Sequence, residues 1–192
     1  QGQTLADANP GNIRFNNVDV MYGFDLNGTP VDIAVFTDRM TNRFAIYRIQ
    51  ETAPYIVDIT DSGSDELFDA EKLGEDTAYG EGVYKSPVSG KFYAFATQND
   101  TWNCAQFELV ATAGHTVGWT RVRTITLEAG DEAEYAEGFV IDQEYGKPTW
   151  PRKGLGSTPL TLNLMAPCIS PSPRTIFSLK KGTTALWPTW KA

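Results

Sequence analysis

The sequence predicts an all-β chain, on three observations. Short runs rich in β-branched and aromatic residues recur along residues 1–146, turn dipeptides separate them, and helical periodicity is almost absent. The runs, in order, are Val31–Phe36 (VDIAVF), Phe44–Ile49, Lys91–Thr97 (KFYAFAT), Ala105–Ala111 (AQFELVA), Arg121–Leu127 and Phe139–Asp142. Asn27-Gly28, Ser89-Gly90 and Tyr145-Gly146 supply turns, because asparagine and glycine accept the backbone conformations that tight hairpins require. Ser64–Leu73 (SDELFDAEKL) alone reads as a short helix, with Ser64 placed to cap it and Glu66 and Glu71 along it. Strands at this spacing suit a sandwich, a barrel or propeller blades alike.

A chain of 192 residues holds one ordinary domain or a fraction of a larger repeat fold. With 24 acidic against 16 basic residues and a net charge of −8, general attraction to nucleic acid or anionic lipid is excluded as a function. No apolar run is long enough for a membrane-spanning helix. The two cysteines, Cys104 and Cys168, are too few for a disulfide scaffold and lack any zinc-ligand spacing. His115 sits in a Gly-His-Thr turn with no partner placed by a motif, so a histidine-activated nucleophile is not indicated. The start at Gln1 fits a processed precursor or a fragment, and two sequons, Asn27-Gly28-Thr29 and Asn99-Asp100-Thr101, predict a secreted, glycosylated protein.

Composition divides the chain after Gly146. Residues 147–192 contain Lys147, Arg152, Lys153, Arg174, Lys180, Lys181 and Lys191 but no Asp or Glu, a net charge of +7 against −15 for residues 1–146. Seven of the 11 prolines also fall there. Two domains are therefore expected: an acidic strand-rich unit over 1–146, and a basic, Pro-rich, irregular tail over 147–192.

Three stretches choose among the β architectures. Asn16-Asn17-Val18-Asp19-Val20, followed by Asp25-Leu26-Asn27-Gly28, Val31-Asp32-Ile33-Ala34 and Thr37-Asp38-Arg39, resembles the β-propeller phytases. The likeness continues through Tyr79-Gly80, Val83-Tyr84-Lys85-Ser86, Ser89-Gly90-Lys91-Phe92-Tyr93-Ala94 and Gln106-Phe107-Glu108-Leu109. It ends on Glu137-Gly138-Phe139 with Asp142-Gln143-Glu144-Tyr145-Gly146, the three stretches keeping the family's order over about residues 11–146.

That resemblance implies a fragment of a six-bladed β-propeller, about three blades of it, with the irregular tail behind. It also implies hydrolysis of phosphate monoesters of phytate, a small-molecule substrate, by water activated on Ca²⁺. An acidic chain suits that chemistry, since carboxylates hold calcium and calcium neutralises a polyphosphate. Residue by residue, the resemblance makes Arg39 the arginine that grips phosphate and Tyr79 the tyrosine at the cleaved phosphate. Glu137 becomes a glutamate bridging calcium and phosphate, with Asp142 as a further metal candidate whose place also reads as an ordinary turn acid. Open blade edges predict self-association. A catalytically inactive fragment and a secreted calcium- or phosphate-binding module remain as alternatives.

The chain also departs from the family. No lysine occupies the region of Gln98-Asn99, where a phosphate-binding lysine is expected, and no acidic Ala-Glu-Glu strand follows Tyr145-Gly146. Codons permitted by Gly146–Asn163, read one nucleotide earlier, allow such a strand, and the same shift over Ile169–Lys191 allows the next family motif. The tail over 147–192 is therefore expected to be phytase sequence read out of frame, the rival being a genuine basic tail.

Overall fold

The computed structural model describes residues 13–101, 103–126, 139–150, 160–161 and 177–178. They form three sheets. β1 (Phe15–Leu26), β2 (Thr29–Asp38), β3 (Arg43–Ile49) and β4 (Ile56–Asp58) make an antiparallel meander in chain order. β5 (Ala78–Lys85), β6 (Phe92–Gln98), β7 (Asn103–Ala111) and β8 (Val117–Thr126) repeat it. β9 (Val140–Asp142), β10 (Lys147–Trp150) and β11 (Leu160–Thr161) begin a third sheet. β12 (Phe177–Ser178) lies parallel against the outer edge of β8. The strand β1 packs on β5, and β5 on β9, so the first strands of successive sheets lie side by side. Two four-stranded blades and the start of a third, arranged around neighbouring inner strands, make a partial β-propeller.

The core lies between the first two blades. Direct register partners share a face, so Val35 with Ile46, and Ile33 beside them, turn toward the second sheet. Val83 with Ala94 turns back toward the first. Phe44, 1% exposed, meets Phe107 and Trp119 edge-on at 5.4 and 5.3 Å, and Phe24 meets Phe92 at 5.1 Å. A second cluster of Tyr84, Phe95, Cys104, Ile125 and Phe139 joins the second blade to the third sheet. Gly82 permits that contact, because a Cβ there would stand 2.9 Å from the Phe139 ring. The Cys104 thiol is free, and burial pushes its pKa up, so it behaves as a small apolar core residue. Cys168 lies outside the described residues.

The outer face of the first blade has no such cover among the described residues. Val18, Val20 and Tyr22, alternate positions of β1, are 54%, 36% and 72% exposed.

Each predicted strand is present within the described residues, Leu127 at the end of the predicted Arg121–Leu127 run lying outside them, and Asn27-Gly28 closes the β1–β2 hairpin with φ of +55° and +87°. The Ser64–Leu73 helix is not: the described residues contain no helix, and this segment runs as turns and bends. Tertiary bonds take its local donors and acceptors. The Leu67 N–H goes to the Asn42 carbonyl (2.7 Å), while the Ser64 hydroxyl bonds Asp61 Oδ2 and accepts from the Trp119 N–H. Leu67 and Phe68 are thereby buried against the inter-blade core.

Candidate functional site

The turn after β2 is built by Asp38. Its buried carboxylate accepts from the backbone N–H groups of Arg14 (2.9 Å) and Met40 (3.0 Å) and from the Thr41 hydroxyl (2.8 Å). This fixes Arg39, whose own N–H reaches the Arg14 carbonyl at 3.0 Å. The segment leading into β5 folds over the turn. Gly74, at φ +85° where a side chain would be strained, donates its N–H to the Arg39 carbonyl, and the Thr77 hydroxyl donates to the same oxygen. Asn42, fully buried at φ +53°, donates to the Phe68 carbonyl and accepts from the Ala78 N–H, tying the turn to the first residue of β5.

The next residue is Tyr79. The Arg39 guanidinium sits over its ring, 4.8 Å from the centroid, and donates Nη2–H to the Gly74 carbonyl at 2.8 Å. The Tyr79 carbonyl is held from the first blade by the Thr37 hydroxyl (2.6 Å) and the Asn16 amide (3.1 Å). The structure thus brings together Arg39 and Tyr79, 40 positions apart in sequence and in different blades.

It adds a residue that sequence reasoning missed. Arg14 Nη1 reaches the same Gly74 carbonyl at 3.4 Å, so two guanidinium groups converge on one oxygen. Burial, then the charge of Arg14, lowers the pKa of Arg39, and Tyr79 and Asp100 act the other way. A guanidinium stays protonated through such a shift. The result is a paired cationic spot in an acidic chain, suited to an anion with several oxygens. Arg14 falls just ahead of the matching Asn16–Val20 stretch, which left it without a sequence signal.

The metal candidates are placed differently. Glu137 lies outside the described residues. Asp142 is exposed and closes the β9–β10 turn, its Oδ1 accepting from the N–H groups of Glu144 and Tyr145, both at 3.0 Å. Its neighbour Gln143 bonds Val83 and Lys85 at the end of β5, whereas Tyr79 stands near the start. Six residues of strand separate those ends by roughly 20 Å, so the structure does not bring Asp142 to Arg39 and Tyr79. Among the described residues no three acidic, histidine or cysteine side chains converge as a metal site.

The side-chain amides of both sequon asparagines are used by the fold. Asn27 Nδ2 donates to the Thr112 carbonyl at 2.7 Å, and Asn99 Nδ2 donates to the Glu75 carbonyl. His115, in the β7–β8 turn, stands 3.5 Å from the Asn27 amide and far along the chain from Arg39.

Comparison with known proteins decides the family. The phytase family model matches residues 1–150, more than three quarters of the chain. The chain belongs to the phytase family. A 3-phytase of Bacillus subtilis (strain 168) is 31% identical over 135 residues, which is 69% of this chain and 32% of that relative. The chain therefore spans about a third of the length of that relative.

Proposed function

We propose that the protein is a calcium-dependent phytase that hydrolyses phosphate monoesters of myo-inositol hexakisphosphate. The carrying observation is the convergence of Arg39, Arg14 and Tyr79 on one spot in a chain of the phytase family. Arg39 and Arg14 bind phosphate oxygens, and Tyr79 orients the group to be cleaved. Glu137 is assigned to calcium, which when bound neutralises phosphate charge and activates water. Asp142 is left to its turn. Secretion is part of the proposal and is supported by the two sequons.

Phosphate release from phytate in calcium, compared with the same reaction in EDTA, tests this reading. Release with calcium and loss of it in EDTA are expected. The chain's span of about a third of a relative favours a second reading, a fragment that binds phytate without turning it over. Binding with no release in either buffer would establish that reading instead.

The exposed Val18, Val20 and Tyr22 row supports a further proposal, self-association of two chains through the open face of the first blade. Sedimentation at rising protein concentration should show dimers, and Tyr22→Asp should shift the chain to monomer; a parent chain that stays monomeric removes the proposal.

A further inference from the structure

Glu81 is a buried acid that the Arg39 site does not use. It is 3% exposed, and neither carboxylate oxygen has a hydrogen-bond partner among the described residues. Asp38, equally buried, is by contrast saturated with donors. Glu81 pairs with Ala96 in register, and Val83 with Ala94; all but Glu81 belong to the core between the first two blades. The Glu81 side chain therefore lies on the face of β5 that looks toward the first blade.

From the first blade Asp19 looks back. It pairs with Val35, and Val35 with Ile46, both members of the same core, so Asp19 projects toward the second blade. Its Oδ2 crosses the gap to accept the Val83 N–H at 3.1 Å, two residues from Glu81. Burial, and then the Asp19 charge, pushes the Glu81 carboxyl well above the usual carboxylate range. Asp19 itself is only half-buried, leaving one side of the pair open to water.

The ionised form of Glu81 is not satisfied by its surroundings, because a carboxylate can only accept and no N–H or O–H among the described residues reaches it. A cation supplies what is missing. Two carboxylates carry two negative charges, which one divalent ion balances, and hard oxygen donors select ions of the calcium and magnesium class.

We propose that Asp19 and Glu81 form a binding site for one hard divalent cation that ties the inner strands of two adjacent blades together. On binding, Glu81 gives its proton to solvent, its oxygens and those of Asp19 take the ion, and water completes the coordination on the open side of Asp19. The site is independent of the calcium assigned to Glu137.

The test is titration of the EDTA-stripped 192-residue chain with CaCl2, and separately with MgCl2, by calorimetry and by thermal melting. The parent should bind at least one of the ions and melt about 5 °C higher when saturated. Glu81→Gln should weaken that binding tenfold or more and remove most of the rise. Asp19→Asn, which keeps an acceptor for the Val83 N–H, should do the same, and Glu81→Met serves where glutamine fails to fold. Glu137→Gln should leave this binding intact. The inference fails if the parent binds neither ion, or if binding and melting rise are unchanged in the Glu81 and Asp19 variants. It fails equally if Glu137→Gln alone abolishes the response, an outcome that would leave the phytase reading standing.

Discussion

Phe44→Ala is expected to lower the stability of the chain by about 3–5 kcal/mol, the usual cost of emptying a large buried aromatic site. The side chain is 1% exposed and wedged edge-on against both Phe107 and Trp119 across the gap between blades. Removing it deletes the transfer energy of the ring and also two aromatic contacts, each worth about 0.5–1.5 kcal/mol beyond area. The cavity cannot close easily, because its walls belong to two separate sheets whose strands are fixed by their ladders. A domain with about 5–15 kcal/mol in total loses much of its margin to such a change. Thermal melting followed by near-ultraviolet circular dichroism, which reports on packed aromatic side chains, provides the measurement. Val88→Ala, in the β5–β6 turn at a residue 81% exposed, is the control and should stay within about 0.5 kcal/mol of the parent. Equal melting of the two variants would show that blade-to-blade packing is not what holds this fold.

The same packing explains which parts of the molecule were legible in the sequence. Strands that alternate between a core face and a second face announced themselves, as did the Asn27-Gly28 hairpin. Two inner strands did not. β1 contains Asn16, Asn17 and Gly23, and β5 contains Gly80, Glu81 and Gly82, residues that local propensity places in loops. They are strands because each is paired on one edge and covered by the neighbouring blade, a condition invisible to a local window. The false helix at Ser64–Leu73 failed for the opposite reason: its local signals were sound, but Asn42, Asp61 and Trp119 claimed its hydrogen-bonding groups.

The candidate site was legible only through the family likeness. Nothing in the spacing of Arg39 and Tyr79 predicts their contact, which depends on β1 packing beside β5. Glu81 carried no signal beyond being an acid between two glycines. The charge boundary after Gly146 was plain in composition, and the family match stops at residue 150, close beside it.

Arg39→Ala is expected to weaken phytate binding by roughly 10- to 100-fold. Hydrogen bonds to a charged group contribute about 1.5–3 kcal/mol, and each 1.4 kcal/mol is a factor of about ten in affinity. The effect should be specific to the fork of the side chain as well as its charge. Arg39→Lys keeps a cation but loses the planar pair of donors and the stacking over Tyr79, so its affinity should fall between parent and alanine variant. Arg14→Ala, which removes the more exposed of the two guanidinium groups, should cost less than Arg39→Ala and reduce the salt dependence of binding. Arg39 also donates to the Gly74 carbonyl, so part of any loss would come from a loosened turn; melting curves of each variant separate that part from the loss of phosphate contact. Calorimetric titration with phytate in calcium-free buffer measures the affinities. Unchanged affinity in a folded Arg39→Ala chain would move the phosphate site away from the Arg39–Tyr79 pair, and with it the active site proposed here.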